Sequence, residues 1–111
     1  MVKRSAFEKS FSKMRDDILR CIIVDDLVQA KKILEDVKVY ISLAQITDDE
    51  RKEAECRVME SELHIAEREV DSLRSVLNCL VIINDSPKFT ENRRRDIINI
   101  GLNMIIRRID L

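Results

Sequence analysis

Apolar positions recur along most of this chain at steps of three and four, the spacing that lines side chains along one face of a helix. The most regular run is Cys56, Met59, Leu63, Ala66, Val70, Leu73, Leu77 and Leu80, an unbroken heptad seam. It starts at Thr47-Asp48-Asp49-Glu50, a capping-box pattern whose hydroxyl and carboxylate satisfy free N–H groups. It stops at Asn84-Asp85-Ser86-Pro87, where turn formers precede a residue that cannot continue a helix. The pattern predicts one long central helix over residues 47–84.

Upstream, Phe7, Phe11, Met14, Ile18 and Cys21/Ile22 keep the same spacing, with Ser5 as a candidate N-cap and residues 1–5 expected to fray. Asp25-Asp26 breaks the phase, and Leu27, Ala30, Leu34, Val37, Ile41 and Ala44 resume it. Residues 6–46 therefore read as a first arm, either one bent helix or two. Downstream, Thr90 is the expected cap of a last helix over 90–110, made broadly apolar by Ile97, Ile98, Ile100, Leu102, Met104, Ile105 and Ile109. Gly101 inside it costs up to ~1 kcal/mol relative to alanine and reads either as a point of close helix approach or as a tolerated defect.

These elements predict an all-α single helical-bundle domain over 1–111. Its expected form is an elongated, coiled-coil-like antiparallel hairpin, with the C-terminal helix packed across the open end and three or four helices in total. A helix of ~36 residues is ~54 Å long, so a rod is expected. Folding back near Ile46–Thr47 would set Leu34 against Met59, Ala30 against Leu63 and Leu27 against Ala66. At the tip of such a hairpin, Ile33, Tyr40, Leu43, Val58 and Ile65 lie outside the seam and would stay wet in a monomer. They are the expected protein interface, taken by a second copy, a dimer being favoured, or by a helix of another protein.

Composition agrees with helices and narrows the chemistry. One Gly and one Pro leave little for hairpin turns, and aromatic residues are only 4%, so the core must be aliphatic. The longest apolar runs, Cys21 to Val24 and Cys79 to Ile83, are far too short to span a bilayer. No apolar core follows Lys3 and Arg4, so no signal peptide and no membrane partner is expected. Three cysteines without Cys-x-x-Cys spacing read as reduced thiols in a cytoplasmic protein.

Charge is unevenly spread. Residues 1–20 hold six basic and three acidic residues, net +3; residues 88–111 repeat that balance; residues 21–87 hold eight basic and fifteen acidic, net −7. The basic ends, above all Arg93, Arg94, Arg95, Arg107 and Arg108, could contact phosphates, which makes a nucleic-acid-binding regulator the alternative. Against it stand the pI of about 5.9 and the shortage of aromatic residues to stack on bases. His64 is the only histidine, there is no glycine-rich phosphate loop, and the acidic clusters are explained by capping and by i,i+4 pairs such as Glu53–Arg57. The reading implies no catalytic residue, metal or cofactor. It points to a non-enzymatic interaction module, an adaptor, chaperone-like or regulatory subunit, that self-associates and binds a protein partner through apolar helix faces.

Overall fold

The computed structural model describes residues 4–109, and they form five helices: α1 (Arg4–Ile23), α2 (Leu27–Leu43), α3 (Asp48–Glu67), α4 (Ser72–Asp85) and α5 (Glu91–Ile109). The caps explain most of the boundaries. Thr47 Oγ1 accepts the Glu50 N–H at 3.1 Å and donates to the Glu50 carboxylate at 3.0 Å, so the capping box starts α3. Thr90 Oγ1 accepts the Arg93 N–H at 3.3 Å and starts α5. Ser5 lies inside α1 and is not its cap.

Asp25-Asp26 ends one helix and begins the next. Asp25 has φ 62°, the left-handed conformation. Its N–H reaches Ile22 O at 3.1 Å, and the Asp26 N–H reaches Cys21 O at 2.8 Å, the bond pair of a Schellman motif. The Asp26 carboxylate then accepts the Gln29 N–H at 3.2 Å and caps α2. The first arm is therefore two helices.

The long central helix is not formed. Arg68 to Asp71 leave the helix, and α3 closes with tightened i→i−3 bonds from Arg68 N to Ile65 O and from Glu69 N to Ala66 O. Val70, read as part of the seam, is fully exposed in this turn. The break costs a few backbone bonds at about 0.5–1.5 kcal/mol each. It lets α4 turn back and bury Val76, Leu80 and Ile83 against Cys56, Leu63 and Ala66. Such side chains contribute about 1.5–3 kcal/mol apiece, so burial outweighs helix continuity.

Every other helix packs against α3. Ala54, Val58 and Ile65 fall within ~40° of one another on its surface, at 100° per residue, and join α1 and α2 in one core. Cys56, Met59, Leu63 and Ala66 lie on the opposite side and join α4 and α5 in a second core. The heptad seam thus faces the later helices, and α2 meets the other face. The seam pairs expected from a simple hairpin, such as Leu34 with Met59, are replaced by packing of Leu34 in the core that holds Val58 and Ile65.

Ion pairs mark the directions. Lys38–Glu62 (3.0 Å) and Lys31–Glu69 (2.5 Å) set α2 antiparallel to α3. Arg93–Glu53 (3.1 Å) and Arg107–Glu67 (3.0 Å) set α5 parallel to it. The longest helices have 20 residues, ~30 Å, so the slab of 49 × 32 × 16 Å comes from helices laid beside one another. The rod of three or four helices is replaced by a five-helix array.

Two substitutions check this account by chemical denaturation. Asp25→Gly removes the cost of a left-handed non-glycine residue and is expected to raise stability by up to ~1 kcal/mol. Ile65→Ala should lower it by about 2–5 kcal/mol, because the side chain is buried rather than at a wet tip.

Candidate docking surface

The residues singled out by sequence separate in the structure. Val58 and Ile65 are buried in the first core, and Ile33 and Tyr40 are half-buried against it. The Tyr40 ring stacks on Phe7, and Phe7 on Phe11, each with centroids 5.5 Å apart. Of the five, Leu43 alone is largely exposed. The covering element is α1, which lies along α2 and α3 instead of extending the rod. No wet apolar patch therefore gathers at the α2–α3 turn.

The arginines are mostly engaged within the chain. Arg93 bonds Glu53 at 3.1 Å and Glu60 at 3.5 Å. Arg94 Nη2 donates to Ser86 O at 2.7 Å and Phe89 O at 3.3 Å, just past the end of α4. Arg107 pairs with the Glu67 carboxylate, and Arg108 Nη2 donates to Glu67 O at 2.9 Å at the end of α3. Arg51, which the sequence reading passed over, does the same for α2, donating to Ile41 O and, at 2.9 Å, to Ala44 O. Carbonyls at helix C-termini lack partners and carry negative partial charge, so guanidinium groups fit there. Among the described residues Arg95 is exposed and has no ion-pair or hydrogen-bond partner for its side chain.

Exposed aliphatic side chains also occur on α1, α2 and the turn between them, at Leu19, Ile23, Val24, Val28 and Val39, but the set that two adjacent helices bring to one side lies on the α4–α5 hairpin. Leu73, Leu77 and Val81 of α4 and Leu102, Ile106 and Ile109 of α5 are 40–68% exposed. Their arrangement follows from one contact. Gly101 of α5 sits against the Leu80 side chain, and a Cβ there would meet Leu80 Cγ at 3.0 Å. Measured from that contact, Val76 and Ile83 on α4 and Ile97 and Met104 on α5 turn towards α3, where they are buried. Leu73, Leu77 and Val81 turn the other way by ~20–100°, and Leu102, Ile106 and Ile109 by ~80–140°. In antiparallel neighbours the same sense of rotation leads to the same side. The six side chains therefore share one outer face, with half-buried Ile98 and Ile105 between them. Ile98, Leu102, Ile105 and Ile109 repeat at steps of 4, 3 and 4, a second seam on α5 beside its buried one.

Other features are weaker. An open groove of about 510 Å³ runs between α1 and the start of α3, floored by Phe7 and Phe11 and edged by Glu8, Asp49, Glu50 and Glu53. Arg15 beside it lies 5.7 Å from the Phe11 ring centroid, and burial together with nearby Arg57 lowers its pKa. Among the described residues no three His, Cys, Asp or Glu side chains are grouped to hold a metal ion, and no helix is long and apolar enough to cross a membrane. All three cysteines are free thiols. Burial raises the pKa of Cys56, with Glu53 adding to it, and burial and then Glu62 raise that of Cys79.

Two outcomes follow. Gly101→Ala gains ~1 kcal/mol of helix propensity but forces an overpacked contact costing about 1–3 kcal/mol, so urea titration should show a net loss. A raised thiol pKa stabilises the fold fully below the unfolded value. That contribution is lost as pH climbs through the unfolded and then the folded pKa. Stability should therefore fall above pH ~9, and less so in Cys56→Ala/Cys79→Ala, measured by denaturation at stepped pH.

No protein-family model, curated protein or solved structure matches this chain.

Proposed function

We propose that this protein is a non-enzymatic helical interaction module, an adaptor, chaperone-like or regulatory subunit, that binds through the outer face of its α4–α5 hairpin. The observation that carries the reading is the alignment of six half-exposed aliphatic side chains on one side of two adjacent helices. A contiguous exposed aliphatic face of this kind often marks an interaction site. Adjacent rows of Leu, Ile and Val on two neighbouring helices offer the apolar surface on which an amphipathic helix docks. Three free thiols and the lack of a membrane-crossing helix among the described residues fit a cytoplasmic setting.

Nucleic-acid binding is the weaker reading. Of the five arginines at the chain's C-terminal end, four are engaged with carboxylates or backbone carbonyls of the same chain. Displacing those bonds would cost what a phosphate contact returns.

The test is affinity capture from cell extract with three tagged forms. Leu77→Asp/Ile106→Asp alters the outer face at half-exposed positions, and Val28→Asp alters an exposed apolar position on α2. Proteins retained by the wild type and by Val28→Asp should be lost from the double variant, with helicity unchanged by circular dichroism. Equal capture by all three forms, together with an oligomeric state that the double variant leaves unchanged, would remove the reading. Captured nucleic acid shed by salt and by Arg95→Ala would replace it with the phosphate-binding alternative.

A further inference from the structure

We infer that the partner at the α4–α5 face is a second copy of this chain, docked about a two-fold axis that runs along the hairpin. The inference rests on the docking reading above and adds to it the identity of the occupant.

Charge at the rim carries it. Asp85 near the end of α4 and Arg95 on α5 are both exposed, and among the described residues neither side chain has an ion-pair or hydrogen-bond partner. Counted from the Leu80–Gly101 contact, Asp85 stands five residues along α4 and Arg95 six residues back along α5, so they lie at nearly the same height. Both turn outward by ~120–140°, to the same side as the aliphatic residues. A two-fold axis along the hairpin exchanges α4 and α5 while keeping height. Asp85 of each copy then lies across from Arg95 of the other, twice per dimer.

The same operation matches the apolar residues. Leu73 comes level with Ile109 of the partner copy, Leu77 with Ile105, and Val81 with the interval between Ile98 and Leu102. Ridges meet ridges of the opposite helix, and all four helices at the interface have antiparallel neighbours, the arrangement of an up-down four-helix bundle. A two-fold axis across the hairpin instead sets the Asp85–Arg95 end beyond the partner's Leu73–Ile109 end and leaves both charges unpaired. Half-buried Ile98 and Ile105 extend the apolar face between the two rows. Self-complementarity of one patch is what a two-fold dimer requires.

Light scattering on a sizing column, read by refractive index because the chain has no Trp and one Tyr, tests this on the purified full chain. The expected mass is twice the 13.0 kDa of the chain. Leu77→Asp should give monomer. Arg95→Glu, at an exposed position with no fold to lose, should weaken dimerisation roughly tenfold, and Asp85→Arg/Arg95→Glu should restore most of it. Leu43→Asp on α2 should change nothing. A wild-type monomer at ~100 µM, a dimer untouched by Leu77→Asp, or a charge swap that fails to restore affinity would each overturn the inference. If the wild type is monomeric while Leu77→Asp/Ile106→Asp still loses captured proteins, only the second copy fails and the docking reading stands. If neither effect appears, both fall.

Discussion

The whole arrangement depends on α3 being apolar on two opposite sides. Ala54, Val58 and Ile65 on one side and Cys56, Leu63 and Ala66 on the other leave it only two polar stripes. A helix of that kind cannot lie on a surface; it must be packed from both sides. With helices of 14–20 residues, that demand is met by placing α1 and α2 on one side and α4 and α5 on the other. The break at Arg68–Asp71 is the geometric price of meeting it within one chain. Once α4 has turned back, α5 can only return parallel to α3. The outer face of the α4–α5 hairpin is then left without a further helix to cover it.

Electrostatics follows the same plan. Glu53, Glu60 and Glu67 repeat every seven residues along one polar stripe of α3, and Arg93 and Arg107 stand fourteen residues apart on the parallel α5. The acidic middle and basic C-terminal end of the sequence are thus largely two faces of one intramolecular match. These pairs are partly exposed, so each adds little stability. Their effect is on register, since a slipped α5 would set Arg93 and Arg107 away from their carboxylates. Arg51, Arg94 and Arg108 go to carbonyls at or just past the ends of α2, α4 and α3, each from a later segment of the chain.

Where local chemistry decides, the structure was legible in the sequence. The Thr47 capping box, the Thr90 cap, the interruption at Asp25-Asp26 and the close approach at Gly101 all rest on residues whose side chains or lack of one act within a turn or two. The break at Arg68–Asp71 was not legible. It contains no Gly or Pro, and Val70 continues the heptad seam through it. What opens it is burial of α4 side chains such as Val76, Leu80 and Ile83 against α3, with Lys31 holding Glu69 and Arg108 holding Glu67 O from other helices. The burial of Val58 and Ile65 was hidden for the same reason. Val58 and Ile65 are surplus to one seam, and a single-seam reading assigns them to a partner. The second face of α3 explains them, and Leu73 and Leu77, assigned to the core by that seam, become the exposed ones. The seam on α5 from Ile98 to Ile109 was visible as breadth, but only the Leu80–Gly101 contact shows which half is covered.

The division of the two cores along the chain bears on how the protein emerges during synthesis. Every buried residue of the first core lies between Phe7 and Ile65, whereas the second core draws on Cys56 to Met104. Contacts are mostly between successive helices, the kind of topology that folds quickly. By the time α3 has left the ribosome, the first core has all its parts, but the Cys56–Leu63–Ala66 side of α3 still faces water. It stays so until α4 and α5 have been made. A nascent chain paused after Glu67 would therefore display a sticky aliphatic stripe that the finished protein hides.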